Sequence, residues 1–432
     1  MSKDIFSLIS QKYLKNNLML VMLIGLGKAI SLIWKSILLK QNIELVGIIE
    51  VLLTTLGLLT ALTTLAIPAA FARFSLKNRL KILQYKNFAL KQIGKIFIIM
   101  VLAISLVALT AKAFYQQVFI ISSVAFSLLL LTNVIQELFL TYINVEKKFI
   151  LYGCLKFIAQ PLLKIGLLSL VIAQFLQQSV LFNHVIWSII ITTVITTIIL
   201  KIKTSFFKPV IKKLNIIEQQ EFLTYTKFLS GSFLSFIIYG AIDIYLIQYF
   251  LGNFYVGIYS AIFMFVNILD LVFSPFLQTF QVYLADKKNI FYKKKFTQKA
   301  VIGLLFSGLL IGLPISLLIP SFFEFFLNEK IYLTTTLIFV ISKIIHSAVV
   351  LIIRHYLDFE GKEQFTFKTM NIALISKTVL GILLISKLGI FGLAISQLIT
   401  EIVHLLILKT QAAFIFKKDY LKFDQPFSPK NS

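Results

Sequence analysis

The chain has 432 residues, 58% of them hydrophobic and only 14% charged, with a mean hydropathy of +0.91. This is more apolar surface than a soluble core can absorb, so the composition excludes a water-soluble globular domain and makes lipid the main solvent. The net charge of +24 would suggest nucleic acid in a polar sequence, but in a hydrophobic one it points to basic cytoplasmic loops.

Cys154 is the single cysteine, which excludes an internal disulfide and any multi-cysteine metal centre. No Gly-x4-Gly-Lys-Ser/Thr loop is present to hydrolyse nucleotides. No cofactor, no metal and no nucleic acid is therefore expected as a ligand.

A span needs about 20 apolar residues, because backbone groups in lipid must be paired within their own helix. Counting such runs predicts about twelve, near 18–39, 46–69, 93–111, 118–141, 151–173 and 180–200, then 228–250, 255–277, 300–320, 331–353, 370–388 and 389–411. The first run is too long for a signal-peptide core and is read as a retained helix. Between the last two, Lys387-Leu388-Gly389-Ile390-Phe391-Gly392 offers a tight turn. The polar stretch near 201–226 divides the chain into an N-lobe, 1–207, and a C-lobe, 208–432, of six helices each. The expected fold class is all-α, a polytopic membrane protein in two lobes around a central cavity.

Orientation follows from the basic residues. Lys3, Lys12 and Lys15 precede the first span, and Arg73, Lys77, Arg79, Lys81, Lys86, Lys91 and Lys95 cluster after the second. Only Lys40, Lys112, Lys330 and Lys387 fall in the odd-numbered loops. An excess of Lys and Arg marks the cytoplasmic side, so both termini are expected there, with short outer loops that leave no room for a catalytic domain.

Several spans carry polar stripes at helical spacing. Glu50, Thr54, Gly57, Ala61, Thr64 and Pro68 align in the second span, and Ser260, Asn267, Asp270, Ser274, Gln278 and Gln281 in the eighth. Lys28, Ser31 and Lys35 align in the first, and Ser232, Ser235, Tyr239 and Asp243 in the seventh. Val46-Gly47-Ile48 recurs as Val256-Gly257-Ile258 at the equivalent place in the second half, as in transporters built on internal repeats.

A charge at mid-bilayer costs roughly 2.5–3.5 kcal/mol, so these groups are expected to face one another or a watery cavity. Lys28, Lys164, Lys343 and Lys377 are the candidate holders of a phosphate or pyrophosphate. Glu50, Glu137, Asp243, Asp270 and Glu401 are the candidate cavity acids that could carry a coupling proton or sodium ion. Glu401 and His404 have the Glu-x-x-His spacing of carboxylate di-iron bundles, but one copy falls short of the ligand set. His346 lies one turn from Lys343.

Asp243 is followed by Leu251-Gly252-Asn253-Phe254-Tyr255-Val256-Gly257-Ile258-Tyr259-Ser260-Ala261. A second patch joins Glu360-Gly361-Lys362 to Leu388-Gly389-Ile390-Phe391-Gly392-Leu393-Ala394. In these patches the chain resembles the polysaccharide transport family, the O-antigen and capsule repeat-unit flippases of the multidrug, oligosaccharidyl-lipid and polysaccharide exporter superfamily. The resemblance implies two six-helix lobes around a cationic cavity in the bacterial inner membrane. It also implies an undecaprenyl-pyrophosphate-linked oligosaccharide as substrate, with a polysaccharide polymerase and a chain-length regulator as further partners. Of the binding residues it carries over only Asp243.

Two other readings stay open. A cation-coupled drug antiporter shares the twelve-helix plan, and a peptidoglycan-precursor flippase belongs to the same superfamily but commonly has fourteen helices. A membrane-embedded polysaccharide polymerase would need an outer loop carrying acid–base groups, and the predicted loops are too short for one.

Overall fold

A computed structural model describes residues 11–112, 118–146, 213–271, 290–351 and 363–423, with a few isolated positions between them. The described residues are almost all helical, joined by short turns, and the chain divides into two compact units, Met1–Ala241 and Ile242–Ser432. The lobe seam expected at 207/208, the fifth and sixth spans with Lys164, and the Glu360-Gly361-Lys362 patch lie outside the described residues.

In the first unit α1 (Gln11–Gln41) and α2 (Ile43–Thr64) form a hairpin. Asn42 stops one helix and starts the next: its backbone is extended at φ −161°, and its side chain accepts from the Leu45 amide at 2.9 Å. The second predicted span ends earlier than its apolar run. Leu65 and Ala66 both adopt left-handed backbone, φ 39° and 55°, and Pro68, which has no amide to donate, then sits in the first turn of α3 (Ile67–Lys77). A short 3₁₀ turn, Arg79–Lys81, leads into α4 (Ile82–Lys112), and α5 (Val118–Val145) follows. Helices α3, α4 and α5 pack on one another, α2 packs on α4 and α5, and α1 packs on α2.

Helix α6 (Ile216–Leu251) begins in the first unit and ends in the second. It starts a dozen residues before the apolar window 228–250. Asn215 accepts from the Glu218 amide at 2.7 Å, and nothing between 216 and 227 breaks a helix, so the polar segment continues into the span. Gly252, at φ 90° and ψ 175°, makes the turn into α7 (Asn253–Val266), a backbone shape that only glycine takes without strain.

The rest of the second unit comprises α8 (Ile290–Phe322), α9 (Leu333–Ile345) and α10 (Glu363–Phe423). Gly308 and Gly312 let α8 approach α9 closely. A Cβ on Gly312 would lie 2.7 Å from Val340 Cγ1, and one on Gly308 would lie 3.1 Å from Ile344. Helix α10 leaves helical geometry at Gly389, φ 58° and ψ −140°, which separates two arms where the sequence predicts two spans.

Five segments among the described residues are long and apolar enough to cross a membrane: Ile43–Thr64, Ile216–Leu251, Lys295–Leu327, Leu333–Val350 and Gln364–Gln411. The last includes the Gly389 break and so supplies both arms. The chain is an all-α membrane protein.

Candidate functional site

Among the described residues, several of the charged groups predicted inside the spans meet in pairs. In the second unit, Asp243 near the end of α6 and Lys377 in the first arm of α10 lie 2.8 Å apart, each with only 2% of its side chain exposed. Tyr259 of α7 donates its hydroxyl to the same Asp243 oxygen, Oδ2, at 2.8 Å. The other oxygen, Oδ1, is buried and has no hydrogen-bond partner among the described residues. Between an ammonium and a carboxylate in a low-dielectric setting the Coulomb attraction is far stronger than in water. One oxygen therefore carries both contacts while its twin remains open to a further donor.

The second pair is more accessible. A 3₁₀ turn, Asn267–Leu269, closes α7 and presents Asp270, whose Oδ1 lies 3.0 Å from Lys343 Nζ in the last turn of α9. About a fifth to a quarter of each side chain is exposed, 19% and 26%. Immediately after Lys343 the helix opens into a π turn, His346–Val350. Such turns are rare within helices and recur at functional sites, because the extra residue re-aims the side chains around it. His346 points to α10, where its Nδ1 lies 3.0 Å from Glu401 Oε2. Glu401 and His404 are both buried, at 1% exposure. Spacing alone pairs His346 with Lys343 and Glu401 with His404, whereas the structure joins His346 to Glu401 across two helices. Among the described residues no three histidine, cysteine or acidic side chains converge on a metal site.

In the first unit Lys35 of α1 and Glu50 of α2 form a pair at 2.7 Å, partly exposed at 16% and 22%. Lys28 lies two turns before Lys35 on α1, and Glu137 on α5; both are half-buried. The sequence placed Lys35 within a span without a binding role, and it gave no role to Tyr259. One signal for both was available. In a hairpin of two antiparallel helices, positions equally far from the turn lie at equal depth. Lys35 and Glu50 stand seven and eight residues from Asn42, and Asp243 and Tyr259 nine and seven from Gly252.

Among the described residues of the second unit, three pairs set Lys343, His346 and Lys377 against Asp270, Glu401 and Asp243. Buried ionic groups cost several kcal/mol each in desolvation, and hydrophobic residues of the same volume would often serve stability as well or better. Their concentration in membrane-spanning helices makes this the candidate site.

No family model matches the chain, and a search of curated proteins finds no match. Solved structures do resemble it. An Asp-to-Asn mutant of the Vibrio cholerae MATE transporter VcmN superposes with a TM-score of 0.63 at 14% identity, over 95% of this chain and 99% of that one. A MATE protein in complex with MaL6 gives a TM-score of 0.65 at 12% identity, over 93% and 97%. An inward-facing multidrug resistance MATE transporter of the MOP superfamily gives 0.60 at 12% identity, over 92% and 96%. With nearly the whole of both chains aligned, this protein has the fold of the MATE transporters, twelve-helix membrane proteins in two lobes.

Proposed function

We propose that the chain is a bacterial inner-membrane flippase, carrying undecaprenyl-pyrophosphate-linked oligosaccharide repeat units from the cytoplasmic to the outer leaflet by alternating access between lobes 1–207 and 208–432. The observation that carries this reading is the set of lysine–carboxylate pairs within apolar helices, above all the partly exposed Lys343–Asp270 pair and the buried Lys377–Asp243 pair. A pyrophosphate is a multiply charged acceptor and competes well with a carboxylate for an ammonium. When it draws Lys343 away, Asp270 is left to take up a proton or a sodium ion. Lys377 with Asp243 responds the same way at greater depth, and Lys28 and Lys164 extend the cationic path in the first half. Glu50, Glu137 and Glu401 complete the set of acids that balance it.

The direction of transport needs no fuel site. With the cytoplasm negative, each unit of negative charge driven outward across the full field gains about 2.3 kcal/mol per 100 mV. A head group with two charges gains roughly twice that. The Lys- and Arg-rich loops put both termini in the cytoplasm in this scheme.

The fold favours a second reading, a cation-coupled drug antiporter, because the similar structures are MATE transporters. A cationic drug would compete with Lys343 for Asp270, whereas an anionic lipid head would compete with Asp270 for Lys343. A deletion strain distinguishes them: lipid-linked repeat units accumulating on the cytoplasmic leaflet support the flippase. Normal surface polysaccharide with raised drug sensitivity replaces it with the antiporter.

A further inference from the structure

The first turns of α6 seat themselves in an aromatic socket built from α3 and the start of α4. Phe222 is fully buried and touches three rings: Phe74 at 5.5 Å between centroids, Phe88 edge-on at 5.5 Å and Tyr85 stacked at 6.2 Å. Tyr225, one turn later, meets Phe74 edge-on at 5.9 Å, and the Arg73 guanidinium lies 4.2 Å over its ring. An ion pair, Lys81 Nζ to Glu218 Oε1 at 2.6 Å, closes the rim.

Glu218 sits three residues after the helix-capping Asn215, the position from which an acid normally folds back onto the cap. Here its carboxylate goes to Lys81 instead, so the start of α6 is tied to the preceding helices rather than closed on itself. Burial lowers the pKa of the neighbouring Lys86 ammonium and, together with Glu218 and Glu221, raises that of the Tyr85 hydroxyl. Both shifts mark the socket as a desolvated patch next to a charged rim.

Two properties set this contact apart from ordinary packing. It lies among the seven Lys and Arg residues between Arg73 and Lys95, the end that the charge rule places in the cytoplasm. It also holds the cytoplasmic end of the one helix whose far end carries Asp243, 25 residues beyond Glu218 on α6. A continuous helix passes displacement from one end to the other, and the stretch between includes Ser230-Gly231-Ser232 and Gly240, residues at which helices bend.

We infer that the Arg73, Phe74, Lys81, Tyr85, Glu218, Phe222 and Tyr225 contact is a releasable cytoplasmic clasp on α6, closed in this structure, which must open once in each transport cycle. As a gate it rests on the transporter reading above. Its opening, however, is measured without any substrate.

The test uses full-length protein in inside-out membrane vesicles with Cys154→Ala as background. Phe222→Cys, and separately Tyr225→Cys in case the first variant folds poorly, is exposed to a membrane-impermeant maleimide. The clasp predicts slow but complete labelling, accelerated by up to about fivefold when Glu218→Lys places like charges on the rim, and returned to the starting rate by the Lys81→Glu/Glu218→Lys exchange. In a second arm, Lys81→Cys/Glu218→Cys is bridged with a reducible bifunctional thiosulfonate reagent. Bridging is expected to abolish export of lipid-linked sugar in cells and reduction to restore it.

Permanent resistance of both cysteines to labelling in an active protein overturns the inference, as does undiminished export by the bridged protein. If the unbridged protein exports no lipid-linked sugar while labelling follows the rim charge as described, the clasp stands and the substrate assignment falls.

Discussion

Removing the Lys377 ammonium tests the buried site most directly. Lys377→Met keeps the volume of the side chain but strands the Asp243 carboxylate, whose Oδ1 has no partner among the described residues and whose Oδ2 would keep only Tyr259. Breaking a buried ion pair from one side costs about 3–5 kcal/mol, limited at the upper end by the carboxyl taking up a proton. Asp243→Asn should also destabilise, by removing the carboxylate that lies 2.8 Å from the Lys377 ammonium. Lys377→Met/Asp243→Asn removes both charges together and should recover most of the loss, because a buried pair is close to neutral against uncharged groups of equal volume.

The double-mutant cycle therefore predicts a coupling of at least about 3 kcal/mol, as large as the loss from breaking the pair on one side, read from the thermal stability of the purified chain in detergent. Flippase activity in the same variants should not follow stability: the double variant should be well folded and inactive. Single variants as stable as the parent, with effects that simply add in the double, would refute the pairing. A stable and fully active double variant would remove both residues from the transport path.

Lys343→Ala acts on a pair that is partly exposed, so solvent screening should hold its stability cost to about 1 kcal/mol or less. Export of lipid-linked sugar should nonetheless fall sharply, and full export would take Lys343 out of the substrate role. Gly389→Ala places a side chain at φ 58° and ψ −140°, a region open essentially to glycine alone, and should cost about 1–3 kcal/mol in the same thermal assay. A Cβ on Gly392 would overlap the Leu384 carbonyl, so Gly392→Ala should also destabilise the bend between the two arms. In the Cys154→Ala background, Lys330→Cys should react with an impermeant maleimide from outside intact cells, and Asn215→Cys only from inside-out vesicles. The reverse pattern would invert the predicted orientation.

Much of the fold was legible in the residues alone, because lipid imposes a strict rule on the backbone. A segment that cannot hydrogen-bond to its solvent must be helical and about as long as the bilayer is thick, so apolar runs can be read as spans. Their ends are legible where a residue type forces them: Asn42 as a cap, and Gly252 and Gly389 as turns with positive φ. Two ends were not. Span two stops at Leu65 because two left-handed residues precede Pro68, although the apolar run continues. Helix α6 begins at Ile216 because nothing polar in 216–227 breaks a helix, and because Phe222 and Tyr225 find aromatic partners far away in sequence.

The candidate site divides along the same line. That Lys343, Lys377, Asp243, Asp270 and Glu401 could not face lipid followed from the cost of a charge in hydrocarbon, a property of the residue and its depth. Which charge answers which did not follow. Lys377 and Glu401 stand twelve residues on either side of Gly389, at matching depth on adjacent arms, yet Lys377 turns to Asp243 and Glu401 to His346. Depth is set along one helix by its 1.5 Å rise per residue, and can be counted. The choice of partner depends on how each helix is rotated against its neighbours. Contacts such as Gly308 and Gly312 against Val340 and Ile344 set that rotation, and only the packed tertiary structure contains them.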